Sequence, residues 1–169
     1  MEGVVNIDLF NRLTGRETLH PQVALVDLSG EELREDLCMT CDFYALLYGQ
    51  TDFMPLRLLH PGETIEIPAA AHRSTKGYTG VLFHPDLLCD TPLEHRIDSY
   101  FCRCRGKLTE RERHILCDCL REIDRELHHA IDRYSRTIIA SHIGLLLNYC
   151  TRFCSDPTQK KRNRKNNDK

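Results

Sequence analysis

The hydrophobic and polar positions divide the chain into two halves with different periods. In the first half, short runs of leucine, β-branched and aromatic residues alternate with turn signals such as Pro61-Gly62 and Gly77. Within Thr64–Ile67 the two isoleucines alternate with polar residues, which predicts that both isoleucines lie on one face of a sheet. Short strands with no helix between them favour an antiparallel barrel or sandwich. The predicted strands are Val23–Leu28, Phe43–Tyr48, Leu56–Leu59, Thr64–Ile67 and Thr79–Phe83.

The second half has helical periodicity. Thr109 and Glu112 have the spacing of a capping box, in which the Thr109 hydroxyl accepts from the Glu112 amide and the Glu112 carboxylate reaches back. Large apolar residues then recur every three or four positions from Leu116 to Ile131, which predicts an amphipathic helix. A second helix is predicted to follow, with Ser135 as its N-cap.

This second helix carries two apolar flanks. One flank is a heptad seam with spacings of four, three, four and three residues, and we expect it to bind a second copy of the chain in a homodimer. Ile138, Leu145 and Tyr149 form the other flank, so one flank can pack on the domain. The alternative is that both flanks are internal core, because bundle helices also carry wide apolar stripes. The predicted interface residues are Ile139, Ile143, Leu146, Cys150 and Phe153.

Composition places a boundary near residue 155. The chain has 169 residues and is 41% hydrophobic, which suffices for one domain with a core. Residues 155–169 lack apolar periodicity and carry six Lys or Arg against two Asp, so they are predicted to be a basic linker or tail. The sequence shows neither a secretory signal nor an apolar stretch long enough to span a bilayer. We therefore expect a soluble cytoplasmic protein with no membrane partner.

Nine cysteines are many for a chain of this length. Because nothing in the sequence indicates export, reduced thiols are predicted rather than a disulfide framework. Cys38 and Cys41 form a C-x-x-C pair, and Cys102 and Cys104 form a C-x-C pair, but no second half completes a zinc site. Motifs for nucleophilic catalysis, phosphate binding and dinucleotide binding are also missing. We therefore predict no metal, no cofactor, no catalytic residues and no enzymatic activity.

Two stretches of the chain resemble a known family. VLFHPDLLCDTPLEHRI, which begins at Val81, and AIDRYSRTIIASHIGLLLNYCTRFC, which ends at Cys154, are similar to the N-terminal sensor domain of AraC-type bacterial transcriptional regulators. LHPQVALVDLS and CDFYALLY resemble the first strands of the same domain. The resemblance covers about residues 16–154 and is weakest between Gly49 and Tyr78, where the barrel looks shortened.

The resemblance implies an α+β fold with two parts. Residues 1–108 would form an N-terminal arm and a cupin-like antiparallel β-barrel that binds a small-molecule effector. Residues 109–154 would form an antiparallel two-helix hairpin that pairs two chains. Family members continue into a helical domain that reads DNA through two helix-turn-helix units, and the fifteen residues after Cys154 cannot encode one such unit. DNA binding is therefore expected only through a domain absent from this chain. In the arm, residues 1–19, Phe10 and Leu13 could close over the barrel mouth.

An effector pocket requires a few hydrogen-bonding groups within apolar walls. Tyr44, Arg57, His60 and His72 combine that capacity with positions on strands or at strand ends, and they are the predicted pocket residues. His84 is a fifth candidate, although before a proline its ring could instead bond the local backbone of a turn. Which of these side chains point inward is left open, because a shift of one residue in register reverses the face.

Two other classes of protein remain as alternatives. PGETIEIPAAAH, which ends at His72, resembles a conserved segment of cupins, so the chain could be a stand-alone cupin enzyme or small-molecule binder. A metal-dependent cupin needs converging histidines, and the chain contains no His-x-His. The other alternative is a cysteine-rich zinc or redox module, which would depend on Cys38 and Cys41.

Overall fold

The computed structural model describes residues 3–28, 35–49, 56–67, 78–100, 103–104 and 108–155. Within these ranges the chain is α+β, as predicted, with a strand-rich first half and a helical second half. The strands are β1 (Val4–Val5), β2 (Val23–Asp27), β3 (Leu37–Cys41), β4 (Tyr44–Gly49), β5 (Leu56–Leu59), β6 (Thr64–Ile67), β7 (Tyr78–Phe83) and β8 (Arg103–Cys104). The helices are α1 (Ile7–Leu13), α2 (Glu110–Leu127) and α3 (Ser135–Ser155), with single 3₁₀ turns at Pro85–Leu88 and Ile97–Ser99.

The larger sheet has the order β2-β7-β4-β5-β8 and is antiparallel throughout. Both of its faces are buried, which explains why β4 reads as a continuous apolar run instead of an alternating one. Residues of one parity, such as Leu46 and Leu58, pack against the helices, and residues of the other parity, such as Leu47 and Leu59, pack against the smaller sheet. A Cβ atom at Gly80 of β7 would overlap the Leu46 carbonyl, so β4 and β7 approach here only because that residue is glycine.

The smaller sheet has the order β1-β3-β6, with β3 antiparallel to β6 and parallel to β1. Its inner side chains, including Met39, Ile65 and Ile67, share one apolar core with the larger sheet. Ile65 and Ile67 are both buried and Thr64 and Glu66 are both exposed, which confirms the predicted alternation. In the described residues the two sheets face each other as a sandwich and do not close into the barrel that the resemblance implied, because β6 pairs only with β3.

Residues 3–19 fold as part of the domain. Asn6 caps α1, its side-chain oxygen accepting from the Leu9 amide, and β1 pairs with β3. Phe10 is buried against Phe43, with the two rings edge to face and 5.9 Å between their centroids. Aromatic pairs in this geometry add about 1 kcal/mol beyond the burial of their surface. The segment predicted as an arm therefore fills one end of the core between the sheets.

Helices α2 and α3 pack against each other and against the outer face of the larger sheet. The predicted capping box at the start of α2 is present: the Thr109 hydroxyl accepts from the Glu112 amide at 3.2 Å, and Glu112 accepts from the Thr109 amide at 2.6 Å. The start of α3 differs from the prediction. The Asp132 carboxylate accepts from the Ser135 amide, and the Ser135 hydroxyl accepts in return from the Asp132 amide, so Asp132 is the capping residue.

The predicted dimer seam of α3 is covered within the single chain. Its five residues are all buried, and they pack with α2, the larger sheet and the Pro85–Leu88 turn. They therefore belong to the internal core and form no exposed contact surface. The physical reason is that the larger sheet, α2 and the Pro85–Leu88 turn all pack against this flank. The alternative that both flanks are internal holds for this flank only, because Ile138 and Leu145 of the other flank are exposed. The five residues are Ile139, Ile143, Leu146, Cys150 and Phe153.

A disulfide joins Cys104 of β8 to Cys154 in the last turn of α3, with 5.0 Å between their Cα atoms. The prediction of reduced thiols was therefore wrong for this pair. Burial and the nearby Asp42 carboxylate raise the pKa of the Cys41 thiol to about 12, so that thiol stays protonated at neutral pH. Cys38 lies on the exposed face of β3 and Cys41 on the buried face, so a strand separates the two thiols of the C-x-x-C pair.

No helix in the described part of the chain is both long enough and apolar enough to cross a membrane.

Candidate functional site

A cavity of 570 Å³ is lined by residues of both sheets, including exposed residues of β3 and β6, so it opens at the edge of the smaller sheet. Small-molecule sites commonly have volumes of about 300–1,000 Å³. Strands β3, β4, β5, β6 and β7 contribute to the lining. None of the described lining residues comes from the first 28 positions. The lining residues are Asp36, Leu37, Cys38, Leu47, Arg57, Leu59, Thr64–Ile67 and Tyr78. We call this space the inter-sheet cavity.

The described lining of the inter-sheet cavity combines five aliphatic residues with six polar or ionisable ones, and its buried part is aliphatic. Leu47 and Leu59 project from the larger sheet, and Ile65 and Ile67 from the smaller one, and all four are buried. The alternation of β5 explains the placement: Leu56 and Leu58 contact the helical layer, so Arg57 and Leu59 face the cavity. Ligand sites of this kind use apolar walls for affinity and a few polar groups for orientation.

Among the described residues that line the inter-sheet cavity, Arg57 is the cation. It lies directly opposite Leu47 in the β4–β5 pairing and is partly buried. Within the described ranges its guanidinium has neither a hydrogen bond nor an ion pair, and Glu66, which also lines the cavity, lies beyond salt-bridge distance. A guanidinium presents five donors in a planar fork, so this group can receive an anionic or strongly accepting part of a ligand.

Tyr44 and His60, by contrast, lie on the helical side of the larger sheet. Tyr44 stacks on Phe83 with 5.1 Å between ring centroids, and the His60 ring contacts Tyr44 edge to face at 5.4 Å. Burial, and secondarily the Asp98 carboxylate, raise the pKa of Tyr44, which keeps the phenol protonated. Neither residue lines the inter-sheet cavity. Their ring contacts stabilise the outer core of the sheet.

His84 caps the 3₁₀ turn that follows β7. Its Nδ1 accepts from the Asp86 amide at 3.2 Å, the local backbone bond that the turn interpretation predicted. The other ring nitrogen lies 3.9 Å from the Asp42 carboxylate, and the residue is outside the cavity lining. His72 lies outside the described residues. Of the four predicted pocket residues that the structure describes, Arg57 lines the inter-sheet cavity and Tyr44, His60 and His84 do not.

Sequence reasoning missed most of the cavity wall. The alternating pattern of Thr64–Ile67 was a usable signal, because it indicated that Ile65 and Ile67 share an inner face. Tyr78 and Cys38 carried no comparable signal, since β3 was not predicted and the start of β7 was placed one residue later.

Comparison of the chain with models of known protein families and with curated proteins finds no match.

Proposed function

We propose that this chain is the effector-sensing and dimerisation domain of an AraC-type bacterial transcriptional regulator. The observation that carries the proposal is the shared wall formed by β4 and β5. On one face of this wall, Leu47, Arg57 and Leu59 line the inter-sheet cavity, and on the other, Leu46 and Leu58 pack against the helical layer. A ligand in the cavity would therefore be separated from the helices only by the thickness of the larger sheet.

The placement of the two stretches that carry the family resemblance supports the same proposal. The first stretch continues from β7 into the Pro85–Leu88 turn, and α3 contains most of the second. Leu87 and Leu88 of that turn are buried together with Ile139 and Ile143 of α3. The two stretches are separated in the sequence, but their buried residues pack in the same hydrophobic core. The residues that carry the resemblance therefore contact one another in the fold.

The proposed mechanism is a shift between arrangements of paired chains. An effector that binds one arrangement more tightly stabilises it, and the size of the shift equals the difference in binding free energy between the arrangements. The β4–β5 wall transmits the change because packed side chains on its two faces cannot move independently. In this mechanism the inter-sheet cavity binds an effector and catalyses no reaction.

For the dimer contact we propose the outer flank of α3, namely Ile138, His142, Leu145 and Tyr149, which we call the outer stripe. Its members are spaced four, three and four residues apart, so they form a second heptad seam. Ile138 is 38% exposed and Leu145 47% exposed, so both present apolar surface to solvent on the same face of α3. The occupant is a second copy of the same helix, because a heptad seam is complementary to itself.

We expect Leu145→Glu to convert a dimer into a folded monomer. Two copies of the substitution would place like charges in the centre of one seam, in addition to losing apolar contact. A rise of at least about tenfold in the dimer dissociation constant is expected, because burial of a leucine contributes about 1.5–3 kcal/mol. Sedimentation equilibrium of the wild type and the variant measures it.

Thr137→Glu is the matched control for this experiment. Thr137 is exposed on the same helix but lies outside the outer stripe, so its variant should dimerise like the wild type. A wild type that is monomeric at high concentration, or a Leu145→Glu variant that dimerises unchanged, would contradict the proposed contact.

The proposal includes several finer expectations. The two facing sheets correspond to a cupin-like barrel that is not closed, and α2 and α3 correspond to its antiparallel helical hairpin. The protein acts in the cytoplasm, and DNA is read by two helix-turn-helix units in a part of the regulator outside these residues. The gene sequence beyond codon 169 tests this directly: such units are expected there, and their absence would leave a stand-alone small-molecule binder.

A further inference from the structure

Three charged side chains line the described part of the inter-sheet cavity: one cation, Arg57, and two acids, Asp36 and Glu66. Arg57 brings a positive charge to the aliphatic part of the wall, next to Leu47 and Leu59. Two acidic residues also line the space, but Glu66 is on the exposed face of β6 and forms no ion pair with Arg57, and Asp36 has an interaction of its own. The guanidinium therefore faces the cavity without a neutralising partner among the described residues.

A partly buried guanidinium in apolar surroundings has lost some of its hydrogen bonds to water. A carboxylate that binds there replaces those hydrogen bonds with stronger, charge-assisted ones, which stabilises the complex. The match is geometric as well as electrostatic, because the two oxygens of a carboxylate accept two parallel N–H bonds from the guanidinium fork. The aliphatic walls formed by Leu47, Leu59, Ile65 and Ile67 suit an apolar body attached to that carboxylate.

The same lining disfavours other ligand classes. A neutral sugar supplies no negative charge for Arg57, and its hydroxyls would lack hydrogen-bond partners along the aliphatic part of the wall formed by Leu47, Leu59, Ile65 and Ile67. A phosphate or a dicarboxylate would bring a second negative charge towards Asp36 and Glu66, which repel it. A single negative charge on an apolar body satisfies both constraints.

We propose that the inter-sheet cavity binds a small monocarboxylic acid, with Arg57 holding the carboxylate and the aliphatic walls covering an apolar chain or ring. This inference rests on the proposed function of the cavity as the effector site, and it adds the ligand class and the residue that selects it.

The test uses matched acids and amides, namely hexanoate with hexanamide and 3-phenylpropanoate with 3-phenylpropanamide, and glucose as a neutral polyol. Methyl signals of Leu47, Leu59 and Ile65 are followed by NMR during titration of the full chain to the solubility limit of each compound. Both acids should shift these signals with saturation, and the amides should bind at least about tenfold more weakly, because charge-assisted hydrogen bonds exceed neutral ones by that amount.

Arg57→Gln should raise the dissociation constant of each acid about tenfold or more and leave that of the amide unchanged. Arg57→Lys should restore part of the affinity, because it keeps the charge but not the fork. Arg121→Gln is the control: Arg121 is exposed on α2, where it pairs with Asp118, and its loss should not affect acid binding. Acid affinity should also fall as pH drops below about 5, where the ligand itself becomes protonated.

The outcomes separate the ligand class from the effector site. If amides or glucose bind the cavity as well as the acids, or Arg57→Gln has no effect on the acids, the monocarboxylate proposal is wrong and the effector site stands. If none of the compounds shifts the cavity methyl signals, both the ligand class and the assignment of the cavity are overturned.

Discussion

The Ile143→Glu variant is expected to be largely unfolded at 25 °C. Ile143 is fully buried between α2 and the larger sheet, where a carboxylate has no partner and no access to water. A charge or an unsatisfied polar group at such a position costs about 4 kcal/mol or more, and single domains are stable by only about 5–15 kcal/mol. Circular dichroism during urea denaturation should show the loss as a transition moved to very low urea.

Leu145→Glu is the matched comparison for this variant, because it introduces the same residue two positions away on the same helix. Leu145 is about half exposed in the single chain, so its substitution should change the free energy of unfolding of the monomer by no more than about 0.5 kcal/mol. If Ile143→Glu were instead a well-folded monomer, the inner flank of α3 would be the dimer contact after all, and the packing described for α3 would be wrong.

Breaking the Cys104–Cys154 disulfide should produce the second large effect. The bond closes a loop with a sequence separation of 50 residues. In the chain-entropy description, opening a loop of this length lowers the free energy of unfolding by about 4 kcal/mol. Cys154→Ser should therefore lower the urea midpoint strongly, and a reducing agent should have the same effect on the wild type.

Two controls make the disulfide experiment specific. Cys38 is exposed and outside the bond, so Cys38→Ser should leave the midpoint unchanged and remain sensitive to reductant. Reductant should no longer shift the midpoint of Cys154→Ser. A wild type that releases all nine cysteines to a thiol reagent in denaturant without reduction would show that the bond does not form.

Local signals in the sequence were sufficient for several elements. The bounds of β5 and β6 agree with the prediction, because turn residues delimit both runs. The start of α2 was predictable because a capping box depends on two residues that are close in sequence. The short elements β1, α1, β3 and β8 were missed. Of these, β3 reads LCMTC and has few β-branched residues, so its pairing with β6 decides its conformation.

The orientation of α3 shows a different limit of sequence reasoning. Its periodicity located two apolar flanks correctly, but periodicity does not say which neighbour covers each flank. The more continuous seam contacts the domain and the thinner one, containing Ile138 and Leu145, remains exposed. Only the positions of the sheet and of α2 distinguish the two, and these arise from contacts between residues far apart in the chain.

The same limit applies to the candidate site. Tyr44 and Arg57 were equivalent candidates on two strands, yet they face opposite sides of one sheet. Successive side chains of a strand point to opposite faces of the sheet. Which face borders the cavity depends on the register of the strands and on the position of the second sheet. The disulfide was likewise beyond prediction, since an odd set of nine cysteines allows many pairings and only the folded chain brings Cys104 to Cys154.

The link between β8 and the end of α3 also has a topological consequence. It makes residues 104–154 a covalent ring that contains both long helices, with the exposed connection between them at positions 128–134. A protease that cuts this connection once opens the ring but releases no fragment. The two pieces would separate in a denaturing gel only after reduction, so a nicked chain would keep α3 tethered to the sheet that it covers.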